Sequence, residues 1–355
     1  MNDVYRRLAE HLNALPGGFP PTDSGLEIRI LKRLFTPEEA AAAVHLRMTM
    51  EKPEVIAARA QADPEPFAAL LAVMSKKGLI LRSLKGGRPL YMAAQFMVGI
   101  WEYHVNALDV GLIEDVNAYL PHLLQESWVK PKTKQLRVIP ISAGIRAEMR
   151  IMPYEAAEEI IQNQSKILVA PCICRKEHAM VGEGCDNPME TCLIFGGSAF
   201  YYEQNGLGRS IGREEALEIL RRGMDAGLVL QPGNAKKPAN ICMCCGCCCQ
   251  ILKNLKRLER PAEEVCTSYR AVVDTEFCTA CGTCQERCPM AAVAVEQAAW
   301  VDQNRCIGCG VCVPTCETGA IRLEPKTENE RWVPPKNIAE TYFRIVSERR
   351  KQAPI

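Results

Sequence analysis

The chain has 355 residues and a formal net charge of +1, with 48% hydrophobic and 24% charged residues. That length supports two or three domains with cores of their own, and the composition excludes a disordered chain. Near-neutrality excludes a global attraction to nucleic acid or to an anionic membrane, so any binding preference must come from local patches.

Residues 1–18 read as a short amphipathic helix bearing acids, without the apolar core or small-residue cleavage site of a signal peptide. No run approaches the roughly 20 apolar residues of a membrane helix. The expectation is a cytoplasmic protein with no transmembrane segment.

From residue 26 the pattern is helical. Thr36, Pro37, Glu38 and Glu39 make a helix start, with a capping Thr, a Pro in the first turn and acids facing the helix dipole. Pro53 opens a second helix and Asp63-Pro64-Glu65 a third, in which Phe67, Leu70, Leu71 and Met74 share one face. Two short apolar runs around Lys85-Gly86-Gly87-Arg88 then predict a β-hairpin.

Helix, turn, helix, hairpin is the element order of the winged-helix superfamily, which residues 1–110 resemble. The residues oppose DNA reading, however. The amino end of the would-be recognition helix offers Asp63, Pro64, Glu65 and Pro66, where base-reading helices carry Arg, Lys, Asn or Gln. The basic Lys76, Lys77, Arg82, Lys85 and Arg88 lie at the helix end and on the hairpin. The expected role is docking or homo-oligomerisation, with DNA as the minor alternative.

A helical connector is expected over residues 111–165, with a helix from Pro153 to about Gln164. Lys166–Ala170 is a short apolar strand leading into the first cysteines, and an amphipathic helix runs from Arg213 to about Ala226 and stops at Gly227. A last helix spans residues 337–350 and ends in a mostly basic tail of Arg344, Glu348, Arg349, Arg350 and Lys351. That tail reads as a solvated face or a site for an acidic partner.

All nineteen cysteines lie at or after Cys172. An odd number in short-spaced groups argues against a disulfide scaffold and for metal ligation in a reducing compartment. Cys278, Cys281, Cys284 and Cys288-Pro289 are followed by Cys306, Cys309, Cys312 and Cys316, two runs of the C-x2-C-x2-C-x3-C type. In that pattern three thiolates wrap one cubane and the fourth belongs to the other. Cluster one then takes Cys278, Cys281, Cys284 and Cys316, and cluster two takes Cys288, Cys306, Cys309 and Cys312. This segment resembles the bacterial-type dicluster ferredoxins and implies two [4Fe–4S] clusters that carry electrons. Glu317 stands where the first repeat has Pro289, and its charge is expected to lower the potential of cluster one.

Eleven cysteines remain. Cys172, Cys174, Cys185 and Cys192 suffice for one cubane, with zinc as the rival since it too takes four thiolates, and redox-active thiols as the third reading. Cys242, Cys244, Cys245, Cys247, Cys248 and Cys249 crowd into eight residues, and Cys266 follows. Adjacent side chains of an extended segment point to opposite faces, so the crowded stretch is expected to straddle two centres. Joined with the first four, it would hold one or two further [4Fe–4S] or unusual iron–sulfur clusters. Arg175, Lys176 and His178, just beyond the first pair, are read as solvent-facing or as a positive rim.

Residues 166–320 resemble a family of ferredoxin-type proteins of anaerobes, in which Pro-Cys-Ile-Cys-Arg, here residues 171–175, and Cys-Cys-Gly-Cys-Cys, here residues 244–248, precede two ferredoxin repeats. The resemblance implies an electron-transfer subunit working with dehydrogenase, reductase or flavoprotein partners. The Cys-Cys-Gly triplet also looks like that of heterodisulfide reductase subunits, but the second triplet of that family is absent. Two other classes stay open: a redox-sensing DNA-binding regulator, and a reductase with a site-differentiated catalytic cluster.

The expected fold class is α+β: a winged-helix-like docking domain (1–110), the connector (111–165), an irregular α/β cysteine-rich domain (166–266), a dicluster ferredoxin domain (267–327) and a carboxy-terminal helix with its tail (328–355).

Overall fold

A computed structural model describes residues 4–142 and 151–352. The chain divides into two packed units, one of residues 1–131, 197–208 and 345–355, the other of residues 132–196 and 209–344. The division differs from the one drawn by composition. The 111–165 segment is shared between the units, and residues 197–208 leave the cysteine-rich segment for unit one.

Unit one opens with five helices, α1 (Val4–Ala14), α2 (Leu26–Leu34), α3 (Pro37–Ala43), α4 (Pro53–Ala60) and α5 (Pro64–Lys76). Thr36 and Glu39 form a reciprocal capping box at α3, and the Asp63 carboxylate caps α5. On α5 the side chains of Phe67, Leu71 and Met74 are buried, while Leu70 is half-buried. The antiparallel hairpin of β1 (Ile80–Lys85) and β2 (Arg88–Ala93) follows. The short α6 (Trp101–Tyr103) then leads to α7 (Val110–Leu123), which buries Leu112, Ile113, Val116, Tyr119, Leu120 and Leu123. Phe19 packs its ring against those of Phe96 and Tyr119, with centroids 4.9 and 5.0 Å away.

Two later segments complete this unit. Tyr201 donates from its hydroxyl to the Ile80 carbonyl at 2.9 Å, and Arg349 donates to the Leu15 carbonyl at 2.7 Å. Arg349 is thus pinned rather than part of a solvated tail. Of the basic residues on α5 and the hairpin, Lys77 pairs with the buried Glu39 at 2.7 Å, and Arg82 donates to Gln204 at 3.0 Å.

Unit two is built on a five-stranded antiparallel sheet. Its elements are α8 (Ala157–Gln162), β3 (Ile167–Pro171), α9 (Ile173–Met180), β4 (Glu190–Phe195), α10 (Gly196–Gln204, which crosses to unit one), β5 (Arg209–Ile211), α11 (Arg213–Asp225), β6 (Val229–Pro232), β7 (Asn240–Cys244) and α12 (Gln250–Leu255). The strand order is β5-β3-β4-β7-β6. Ile167, Leu168, Val169 and Ala170 are all buried, as in a strand covered on both faces, so the cysteine-rich segment hangs on a regular sheet. The helix expected from Pro153 begins only at Ala157.

The rest of unit two holds β8 (Tyr269–Val273), α13 (Thr283–Arg287), β9 (Val293–Val295), β10 (Ala299–Val301), β11 (Ile321–Pro325) and α14 (Ile338–Gln352), whose last turns belong to unit one. β8 pairs with β11 and β9 with β10, both antiparallel. No helix of the described residues is long and apolar enough to cross a membrane.

Candidate metal centres

Two cavities in the last part of unit two are each walled by four thiols. Cys278, Cys281, Cys284 and Cys316 line the first, which encloses about 350 Å³ including its open mouth. Cys288, Cys306, Cys309 and Cys312 line the second, of about 330 Å³. Each cavity therefore draws three thiols from one loop and the fourth from the other. The pairing of β8 with β11 and of β9 with β10 brings the two loops back to back, which the sequence order of the cysteines alone does not.

Backbone N–H groups point at the sulfurs. Ala299 donates to Cys278 Sγ and Ala292 to Cys288 Sγ, each at 3.2 Å, and Ala271 donates to Cys306 Sγ at 3.4 Å. Such donors favour thiolate over thiol and raise the potential of whatever the sulfur binds. The loops repeat one conformation: Ala280 and Gly308, each preceding the second cysteine of its loop, have φ of 56° and 65°. At Gly308 a Cβ would meet the Tyr269 carbonyl oxygen at 2.1 Å, so only glycine fits there.

The cavities differ in exposure. Cys306, Cys309 and Cys312 are buried, whereas Cys281 is exposed. Burial pushes the Cys309 thiol up to about 12. Metal binding must therefore supply the positive charge that lets it ionise. Glu317 is exposed, so water and salt screen its effect on the neighbouring Cys316.

The upstream cysteines fall into two groups. Cys192 on β4 faces Cys242 on β7 across the sheet, and Cys244 lies two residues on, on the same face. Hydrogen-bond contacts link six thiols in succession: Cys172, Cys174, Cys249, Cys244, Cys242 and Cys192. Beyond β7 the chain turns, and Cys245, Cys247 and Cys248 gather instead around Cys185 from the loop after α9. The crowded stretch is thus divided between two groups, because strand alternation sends Cys245 away from Cys244 and the turn at Gly246 keeps Cys247 and Cys248 with it.

Cys266 joins neither group. Its sulfur lies 3.7 Å from Asn234 Nδ2 and 3.9 Å from the Lys132 carbonyl, and burial pushes this thiol up to about 11. It lies buried, apart from both groups.

Arg175 and His178 are not solvent-facing. They are 1% and 2% exposed. Arg175 donates to Cys245 Sγ at 3.6 Å, to the Met243 carbonyl at 3.2 Å and to the Thr191 hydroxyl. Sequence reasoning also missed the amides that contact the sulfurs: Asn187 on Cys185 and Asn240 on Cys242, both at 3.4 Å, and Gln231 on Cys249 at 3.8 Å. Two of the three stand two residues from their cysteine, a spacing that could have marked them.

Residues 271–294 and 299–322 each match the 4Fe-4S binding domain family. That stretch is an iron–sulfur electron-transfer module. No curated protein and no solved structure matches the chain.

Proposed function

We propose that this protein relays low-potential electrons as a subunit or partner of an anaerobic oxidoreductase. In this reading cluster one is held by Cys278, Cys281, Cys284 and Cys316, and cluster two by Cys288, Cys306, Cys309 and Cys312. The observation that carries it is the exchange of Cys288 and Cys316 between the two four-thiol cavities, which ties the two centres into one wire. The more open cavity suits an entry or exit port. Exposed Phe277 and Trp300, next in sequence to the lining residues Cys278 and Ala299, suit the docking of a redox partner. The six upstream thiols, more than one cubane requires, supply a further iron–sulfur centre.

Unit one is the docking element in this scheme. The acidic, proline-rich start of α5 and the internal engagement of Lys77 and Arg82 favour a protein partner over DNA.

The test is iron and sulfide content with electron paramagnetic resonance on anaerobically prepared full-length protein. Cys316→Ser should perturb the signal of the centre held by Cys278, Cys281 and Cys284, and Cys288→Ser that of the other. A protein with fewer than about eight irons per chain, the content of two cubanes, would remove the relay. So would reduced clusters unable to pass electrons to any external acceptor.

A further inference from the structure

The Sγ atoms of Cys185, Cys245, Cys247 and Cys248 all lie within 4.8 Å of one another. Cys248 is 3.5 Å from Cys185 and 3.8 Å from Cys247, and Cys185 is 3.9 Å from Cys245. Four thiolates at the corners of a tetrahedron around one ion, with bonds of about 2.3 Å, are separated by roughly 3.8 Å. A cubane places an iron behind each thiolate and a core of irons and sulfides between them, so its thiolates stand farther apart. The ferredoxin thiols line open cavities, whereas the four sulfurs of this group lie close to contact with one another.

The surroundings supply charge and donors. Arg175 is buried, donates to Cys245 Sγ and forms no ion pair with a carboxylate among the described residues. An uncompensated buried guanidinium is costly, so its counter-charge is drawn from the thiols around it, Cys245 of this group by direct hydrogen bond and Cys172 and Cys244 of the neighbouring group through charge. Neutral thiols cannot provide it. Four thiolates on one divalent ion carry a net charge of −2, which a neighbouring cation offsets. Asn187 donates a further hydrogen bond to Cys185 at 3.4 Å, as donors around bound thiolates do.

We infer that Cys185, Cys245, Cys247 and Cys248 bind a single divalent ion, zinc or iron, in a mononuclear tetrathiolate site distinct from every cluster of the relay. Binding replaces four thiol protons with one M²⁺ ion, and Arg175 balances part of the remaining charge. Gly246, within this group, packs against Pro289, so the ion fixes the turn after β7 against the residue that follows Cys288. Zinc there serves as a clamp. Iron there adds a one-electron carrier beside cluster two.

The experiment is metal analysis with X-ray absorption and Mössbauer spectroscopy on anaerobically purified full-length protein, together with Cys185→Ser and Cys247→Ser. The expected result is one zinc per chain with four sulfur neighbours and no metal–metal scattering, or, in zinc-depleted growth, one high-spin iron outside the cluster population. Each variant should lose that one ion while keeping the irons of the module at residues 271–322. Wild-type protein with no zinc and with every iron in clusters overturns the inference, as does a variant that loses iron and sulfide four at a time. Because the wild-type spectra decide the matter alone, a variant that fails to fold does not spare it. The wild-type readout is also independent of the relay: an inert module with this ion in place would sink the proposed function and leave the site standing.

Discussion

Gly246 lies against Pro289 so closely that a Cβ on the glycine would come 2.7 Å from the Pro289 carbonyl oxygen and 2.9 Å from its Cα. Gly246 separates Cys245 from Cys247, and Pro289 follows Cys288, so this one backbone contact joins the upstream thiols to the second ferredoxin cavity. Both contacted atoms are backbone and cannot swing aside. Gly246→Ala should destabilise unit two by about 1–3 kcal/mol through overpacking and alter the resonance of cluster two more than that of cluster one. Anaerobic denaturation and paramagnetic resonance of the variant measure both effects.

Reverse substitutions at the equivalent positions of the two ferredoxin loops should differ sharply in effect. Gly308→Ala drives a methyl into the Tyr269 carbonyl and adds a left-handed alanine, so the centre lined by Cys306, Cys309 and Cys312 should fail to assemble. Ala280→Gly relieves a left-handed residue in the other loop and should leave iron content unchanged, with stability altered by less than about 1 kcal/mol. Iron per chain separates the two outcomes.

Removing the buried cation should be more damaging than its distance from the ferredoxin loops suggests. Arg175→Met leaves thiolate charge without a counter-ion and should cost about 3–5 kcal/mol, with metal lost from the upstream thiols first. Arg175→Lys should rescue only partly, since one ammonium cannot span Cys245, Thr191 and Met243 as the guanidinium fork does. Metal content upstream against iron at residues 271–322 distinguishes this loss from general unfolding.

Unit one should weaken in mild acid. Burial lowers His11, His45 and His104, helped by His45 at His11, by Arg7 and Arg59 at His45, and by Lys77 at His104. With folded values below the unfolded value of about 6.5, the unfolded chain binds more protons. Stability therefore rises with pH through the window between the folded values and about 6.5, and is lost as pH falls through it. Protection of amides in α1 and in the segment after β2, measured relative to the intrinsic exchange rate at each pH, should fall as pH drops below that point. His104→Gln should flatten the trend, and protection that holds constant down to pH 5 would contradict it.

The sequence by itself determined the chemistry and several local elements. Eight cysteines in two C-x2-C-x2-C-x3-C runs specify cubane ligation because each run presents thiolates from successive tight turns. Caps such as Thr36 and Asp63 specified helix starts because their partners lie within three residues. Strand alternation was enough to expect that residues 242–249 divide between two centres.

Only the tertiary structure decided which distant thiols meet. Cys185 joins Cys245, Cys247 and Cys248 because the loop after α9 passes the turn that follows β7, and Cys192 joins Cys242 because β4 and β7 are neighbours in the sheet. Arg175 read as a surface residue because its justification, a set of thiols some seventy residues away in sequence, exists only once the sheet has formed. Local signals reach a few residues along the chain, whereas counter-charges and metal cups are set by long-range strand pairing.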